Sequence, residues 1–235
     1  MMRSIFTLVC IALALPFLTQ AQQSDRIRTY EIADFSKVIV EGHADVHLYP
    51  SDKNELRIEA RQKDLWDNLE IEEADGLLHI FHHENDGDFD IRDEKFTIQL
   101  AYTNLEELEV IGKIWLASES VLEGDRLKIV GEGMIKGDLS VAVEKLLVRM
   151  DGLIQVDVFG SAEYATLELY GMGKINGANL TAQHARTKVE GWAKTKIDVR
   201  ETYEASHEGI GSINFTGSPR KKRISREGIS FVRGS

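Results

Sequence analysis

Leu108-Glu-Val-Ile-Gly112-Lys-Ile-Trp-Leu116 is followed by Leu127-Lys-Ile-Val-Gly131-Glu-Gly-Met-Ile135, and the chain repeats this phrase four more times. The later copies are Leu146–Ile154, Leu167–Ile175, Thr187–Thr195 and Ala205–Ile213. Aligned by their first residues, the phrases have central residues 112, 131, 150, 171, 191 and 209, in steps of 19, 19, 21, 20 and 18. Self-similarity at such a period is the mark of a repeat architecture. In odd-numbered phrase positions only Thr187, Thr195 and His207 are neither aliphatic, Met, Ala nor Gly. Alternation of that strictness is the period of strands with one buried face.

About 19 residues are too few for a strand-helix-strand crossover, which needs roughly 30. The economical solution is one coil per repeat, each phrase stacked in parallel on the next, with apolar columns inside. The expected fold is therefore all-β, a parallel β-helix or β-solenoid with about 19–20 residues per coil. The recurring Gly-x-Gly pairs, Gly131/Gly133, Gly171/Gly173 and Gly209/Gly211, are expected where each coil bends, because glycine tolerates positive φ and close backbone approach.

Outward from this core, Val38-Ile-Val-Glu-Gly42-His-Ala-Asp-Val46-His-Leu48 fits the phrase and reads as an early coil. Leu69–Ile71 and Leu77–Phe81, joined through Asp75-Gly76, read as a hairpin. The region 22–104 is thus an irregular β start and cap, 105–217 the regular coils, and 218–235 a cap strand. There Gly228 follows Gly209 by 19 residues, so a partial strand is expected to close the end. No helical period persists for three turns.

Residues 1–21 read as a secretory signal peptide: Arg3, an apolar run from Ile5 to Leu18, then Thr19-Gln-Ala21 as a small-x-small cleavage site. The run is too short for a mature transmembrane helix. The expected address is export, to the periplasm or the cell surface, with 22–235 as one domain. Cys10 is the sole cysteine and lies inside the signal, so the mature chain would have neither disulfides nor thiol chemistry. It would carry 27 basic against 39 acidic residues, a formal charge of −12. Such an acid balance disfavours nucleic acid and anionic membranes as partners.

The entry phrase Phe35–Leu48, the recurring Gly-x-Gly with Ile two residues later, and Gly209-Ile-Gly-Ser-Ile-Asn-Phe-Thr-Gly-Ser-Pro219 resemble the exported bacterial family of the auto-transporter adhesin head GIN domain. The resemblance spans about residues 35–220. It implies a right-handed parallel β-helix and an adhesion role, and it carries over no catalytic residue. The serine-rich corners usual in that family are replaced here by Gly131-Glu-Gly and Gly171-Met-Gly.

In the alignment by first residues, Trp115, Met134 and Leu153 share one outward column, and Met172, Trp192 and Ile210 share the column two residues earlier. Together they form a slanting apolar stripe, the candidate contact surface for a glycan or cell-surface protein. The bland alternative is that a terminal segment packs over it. A second cluster, His79, His82 and His83 followed by Asp86, Asp88 and Asp90, is a weak candidate metal site: it lacks the Gly and the bidentate Glu of an EF-hand. Glu132 and Asp151, with Arg149 nearby, are the carboxylate pair that a polysaccharide lyase or hydrolase would need, against a reading as surface charge. No Gly-x-x-x-x-Gly-Lys-Ser/Thr or Gly-x-Ser-x-Gly occurs. The expectation is thus a non-enzymatic binding module without a cofactor, with end-to-end or other self-association as a further possibility.

Overall fold

Alternation in the sequence becomes alternation of burial in space. In a computed structural model that describes residues 26–61, 64–83 and 95–234, nearly all the chain is strand. The expected signal peptide, with Cys10, and the acidic run holding Asp86, Asp88 and Asp90 lie outside these residues. The strands are β1 (Ile27–Glu31), β2 (Lys37–Pro50), β3 (Glu55–Ala60), β4 (Leu69–Ala74), β5 (Leu77–His82), β6 (Phe96–Tyr102), β7 (Glu107–Ser118), β8 (Leu122–Thr216) and β9 (Lys221–Gly234). A five-residue 3₁₀ turn covers Asp64–Asn68. The sheet is open, in the order β1-β3-β6-β2-β7-β8-β9, and the β4–β5 hairpin joins it through β5 on β2.

The pairings β2 with β7, β7 with β8 and β8 with β9 are all parallel, with Gly42 opposite Gly112, Gly112 opposite Gly133 and Gly209 opposite Gly228. Within the 95 residues of β8 the same relation recurs. A Cβ built on Gly152 would stand 2.1 Å from the Gly133 carbonyl oxygen, one on Gly171 2.6 Å from that of Gly152, and those on Gly191 and Gly209 each 2.3 Å from the carbonyl one repeat earlier. The backbone of β8 therefore passes back over itself about every 19 residues. The glycine column runs 42, 112, 133, 152, 171, 191, 209, 228.

This corrects the alignment by first residues. Gly131 and Met150 do not belong to the glycine column; Gly133 and Gly152 do, and the steps from Gly112 are 21, 19, 19, 20, 18 and 19. A slip of two preserves which side each residue faces, so the inward positions were legible even where the register was not. Four residues before the glycines from Gly42 to Gly209 stand Val38, Leu108, Ile129, Val148, Leu167, Thr187 and Ala205, none more than 1% exposed. Burying an aliphatic side chain contributes about 1.5–3 kcal/mol, and this ladder is one of several. Thr187, Thr195 and His207, the three inward exceptions, are buried as well.

Ahead of β2 the pattern changes because the first turn of the stack has no predecessor to pair with. β5 and β6 pair in parallel with the two halves of β2, and β4, β3 and then β1 extend them in antiparallel fashion. The β4–β5 turn falls at Asp75 (φ 50°) and Gly76 (φ 78°), the positive-φ pair of a type I′ hairpin.

At the other end, β9 pairs with β8 over 14 residues and is the last strand of the sheet. Its inward positions carry Lys222 and Arg226 in place of aliphatic residues, and Ile224, Ile229 and Phe231 are 44%, 68% and 51% exposed.

Candidate functional site

One residue beyond each glycine the side chains face away from the core. That column reads His43, Lys113, Met134, Leu153, Met172, Trp192, Ile210 and Ile229. From Met134 to Ile229 all six are large, apolar and between 42% and 68% exposed. Strands in a sheet stand about 4.8 Å apart, so the six form a straight ridge roughly 24 Å long.

The predicted stripe is thus present but differs in shape. Met134, Leu153, Met172, Trp192 and Ile210 fall in one column instead of two, because the glycines that precede them are themselves stacked. Trp115 stands apart, two positions along, opposite Asp45 and Lys136. It is 38% exposed, with its indole edge-on to His47 at 5.3 Å. Ile229, outside the predicted stripe, completes the column, one residue beyond the Gly228 that continues the repeat.

The ridge has flanks of opposite charge. One residue before the glycines run Glu132, Asp151, Tyr170, Glu190, Glu208 and Glu227; three residues after them run Lys136, Gln155, Lys174, Lys194 and Ser212, with Trp115 and Phe231 at the two ends. On the acidic side the Tyr170 ring lies between Arg149 (5.4 Å) and Lys188 (5.2 Å), and Arg149 also pairs with Glu168 at 2.9 Å. The hydrogen bond to Tyr170 and the Glu168 carboxylate raise the Arg149 pKa further, so it acts as a fixed cation and not as a proton donor.

Glu132 and Asp151 do stack in one outward column on successive passes, as the hydrolase reading required. Both are exposed. Arg149 reaches Tyr170 and Glu168. The arrangement amounts to surface charge along the ridge.

The histidines separate as alternation predicts. His79 stacks on Phe81 (4.5 Å), which meets His83 edge-on (4.9 Å), while His82 packs from the other face on Phe96 (5.1 Å). His79 and His83 are engaged by Glu41 (2.9 Å) and Glu70 (3.3 Å). Among the described residues no three His, Cys, Asp or Glu side chains converge as metal ligands. No helix among them is long and apolar enough to cross a membrane.

Residues 34–219 match the family model of the putative auto-transporter adhesin, head GIN domain. The chain belongs to this family. Solved structures share the fold of this head GIN domain protein. A putative adhesin from Bacteroides fragilis is 23% identical with a TM-score of 0.77, the match covering 89% of this chain and 96% of that one. A putative adhesin from Parabacteroides merdae is 19% identical with a TM-score of 0.69, covering 89% and 95%. A putative lipid binding protein from Parabacteroides distasonis is 19% identical with a TM-score of 0.68, covering 89% and 96%. No curated protein matches this head GIN domain chain.

Proposed function

We propose that this protein is an exported, non-enzymatic binding module of the bacterial envelope or cell surface, and that it docks a protein partner along the Met134–Ile229 ridge. The module winds as a right-handed parallel β-solenoid, each coil contributing one glycine and, from Gly133 onward, one ridge residue. The observation that carries this reading is the ridge itself: six large apolar side chains in register on a free face. A contiguous exposed apolar patch marks a contact surface. An apolar centre with charged rims is the anatomy of a protein–protein interface.

The chemistry favours protein over lipid or sugar. Met, Leu and Ile offer a yielding, repackable surface, whereas a sugar platform needs a row of flat rings, and Trp192 is the one ring among the six ridge residues. The acidic flank opposes an anionic bilayer. The opposed charges of the two flanks would orient the partner, suppressing the reversed pose. Family membership supports an adhesive role.

The test is binding of fluorescently labelled protein to intact bacterial cells with and without mild surface proteolysis. Saturable binding that disappears after proteolysis and in the double variant Met172→Ser/Trp192→Ser, with an unchanged unfolding midpoint, supports the reading. Equal binding by the double variant removes the ridge as the contact. Binding that survives proteolysis points to a glycan or lipid partner instead.

A further inference from the structure

Two free edges of the sheet carry opposite charge. One is β9, the last strand of the stack, in which residues 221–229 are all exposed. The other is β4 at the opposite end, which pairs with β5 and with no other strand. Lys221, Lys222, Arg223 and Arg226 lie on β9, where Glu227 is the one acid; β4 and its turn hold Glu70, Glu72, Glu73 and Asp75 and no cation. A free edge presents unpaired N–H and C=O groups on which another strand can add. Charge of one sign keeps like edges apart, but opposite signs draw unlike edges together.

Much of this charge is uncommitted. Among the described residues Lys221, Arg223, Arg226 and Glu72 have no oppositely charged group at ion-pair distance, whereas Glu70 meets His83 at 3.3 Å and Glu73 accepts a hydrogen bond from the Ala33 N–H at 2.8 Å. The facing of the two strands matches as well. On β9, Lys222, Ile224 and Arg226 continue the inward columns of Tyr203, Ala205 and His207, so Lys221 and Arg223 point outward. On β4, Ile71 and Glu73 stand opposite the buried Ile80 and Leu78, so Glu70 and Glu72 point outward. Ile224 is 44% exposed although it faces the core side, because no further pass covers it.

Strand direction permits the contact. β5 runs parallel to β2 and so to the stack, and β4 runs antiparallel to β5. A second copy placed in line with the first therefore presents β4 antiparallel to β9. We infer that the protein assembles head to tail, β9 of one copy adding to β4 of the next. The antiparallel register that sets Ile224 opposite Ile71 also sets Arg223 opposite Glu72 and Lys222 opposite Glu73, and it leaves no like charges directly opposite. Apolar and opposite-charge cross-strand pairs of this kind stabilise a sheet. The contact joins unlike surfaces, so assembly continues beyond two copies.

The experiment is sedimentation velocity of the purified protein at low ionic strength. The samples are the parent, Glu70→Lys/Glu72→Lys, Lys221→Glu/Arg223→Glu, and the two variants mixed. The parent mass should rise with concentration past that of a dimer and fall again in about 1 M salt, where charge is screened beyond about 3 Å. Each variant alone has two ends of like charge and should associate at least about ten-fold more weakly. The mixture should recover the association, because the basic β4 of one variant meets the acidic β9 of the other. All four side chains are exposed, so unfolding midpoints should match the parent. A parent that stays monomeric at sub-millimolar concentration overturns the inference, and so does growth that stops at a dimer. Association indifferent to both charge reversals, or not recovered on mixing, would place the contact elsewhere and overturn it too. Met172→Ser/Trp192→Ser should assemble like the parent; loss of assembly there would assign self-association to the ridge instead.

Discussion

Gly131 lies against Met150: a Cβ built at residue 131 would stand 2.5 Å from the Met150 sulfur and 3.2 Å from Ile135 Cγ1. Residue 131 is therefore an inward position whose missing side chain is filled by the methionine of the next pass. It lies in the column of Val110, Met150, Leu169, Val189 and His207, and is not a bend. Methionine suits such gap-filling because it is unbranched and adaptable. Gly131→Val should overfill the layer and cost about 1–3 kcal/mol. In a Met150→Ala background the same change should cost much less, because the space has been vacated. Urea midpoints of the four chains in this double-mutant cycle give the coupling directly; strict additivity would show that the two residues do not compete for one volume.

Gly171 is a different kind of glycine. Its φ is +105°, a conformation L side chains rarely adopt, and its Cβ would meet the Gly152 carbonyl oxygen at 2.6 Å. Backbone cannot swing aside as a methionine can, and residues on both neighbouring passes share the conformation. Strain at such a backbone costs about 1–3 kcal/mol before any clash is added. Gly171→Val should therefore lower stability by more than about 3 kcal/mol, while Lys174→Val, which loses a surface ion pair to Asp157, should cost at most about 1 kcal/mol. Equal thermal midpoints for the two variants would mean that the glycine column is not a structural requirement.

These two glycines mark what the sequence discloses and what it withholds. Strand, facing and period follow from side-chain chemistry alone, since Leu108, Ile129, Val148 and Leu167 alternate with polar residues at a fixed interval. Register does not, because Gly131 and Gly133 are the same letter in two roles: one fills no space inward, the other turns the chain. The distinction depends on the neighbour, Met150 or the Gly112 carbonyl, and a neighbour 19 or 21 residues away is invisible until the stack is built. The ridge was legible as six apolar outward residues, with Trp115 in place of Ile229, because parity survives a slip of two.

Asp198 joins three passes. The residue is 8% exposed, and its carboxylate accepts hydrogen bonds from Thr181 Oγ1 (3.1 Å) on the preceding pass, Thr216 Oγ1 (2.9 Å) on the following one, and Arg200 on its own. Removing it leaves two threonine hydroxyls and a guanidinium without their acceptor, and hydrogen bonds to a charged group are worth about 1.5–3 kcal/mol. Asp198→Ala should destabilise by about 2–4 kcal/mol. Asp198→Asn, which keeps an acceptor, should lose less. Denaturant midpoints rank the two; a cost no greater than that of an exposed control such as Asp138→Ala would show that the bridge contributes nothing.

His207 is the inward position at which the ladder of aliphatic side chains gives way to a titratable ring. It is 2% exposed, and burial pushes its pKa below the ordinary histidine value. An unfolded histidine takes up a proton as pH falls through about 6.5. The folded ring resists until lower pH, so unfolding binds protons in that interval and stability falls as pH falls. The contribution of the neutral ring is fully present above about pH 6.5 and is lost progressively below it, toward the depressed folded pKa. His207→Leu keeps an apolar side chain in the ladder and removes the titration. Urea midpoints measured from pH 7.5 to 5.5, above the range of ordinary carboxylates, should therefore decline more steeply for the parent than for His207→Leu. The other histidines contribute equally to both chains and cancel in the difference. Parallel curves across this window would mean that the imidazole is solvated in the folded protein, and the inward ladder at residue 207 would have to be redrawn.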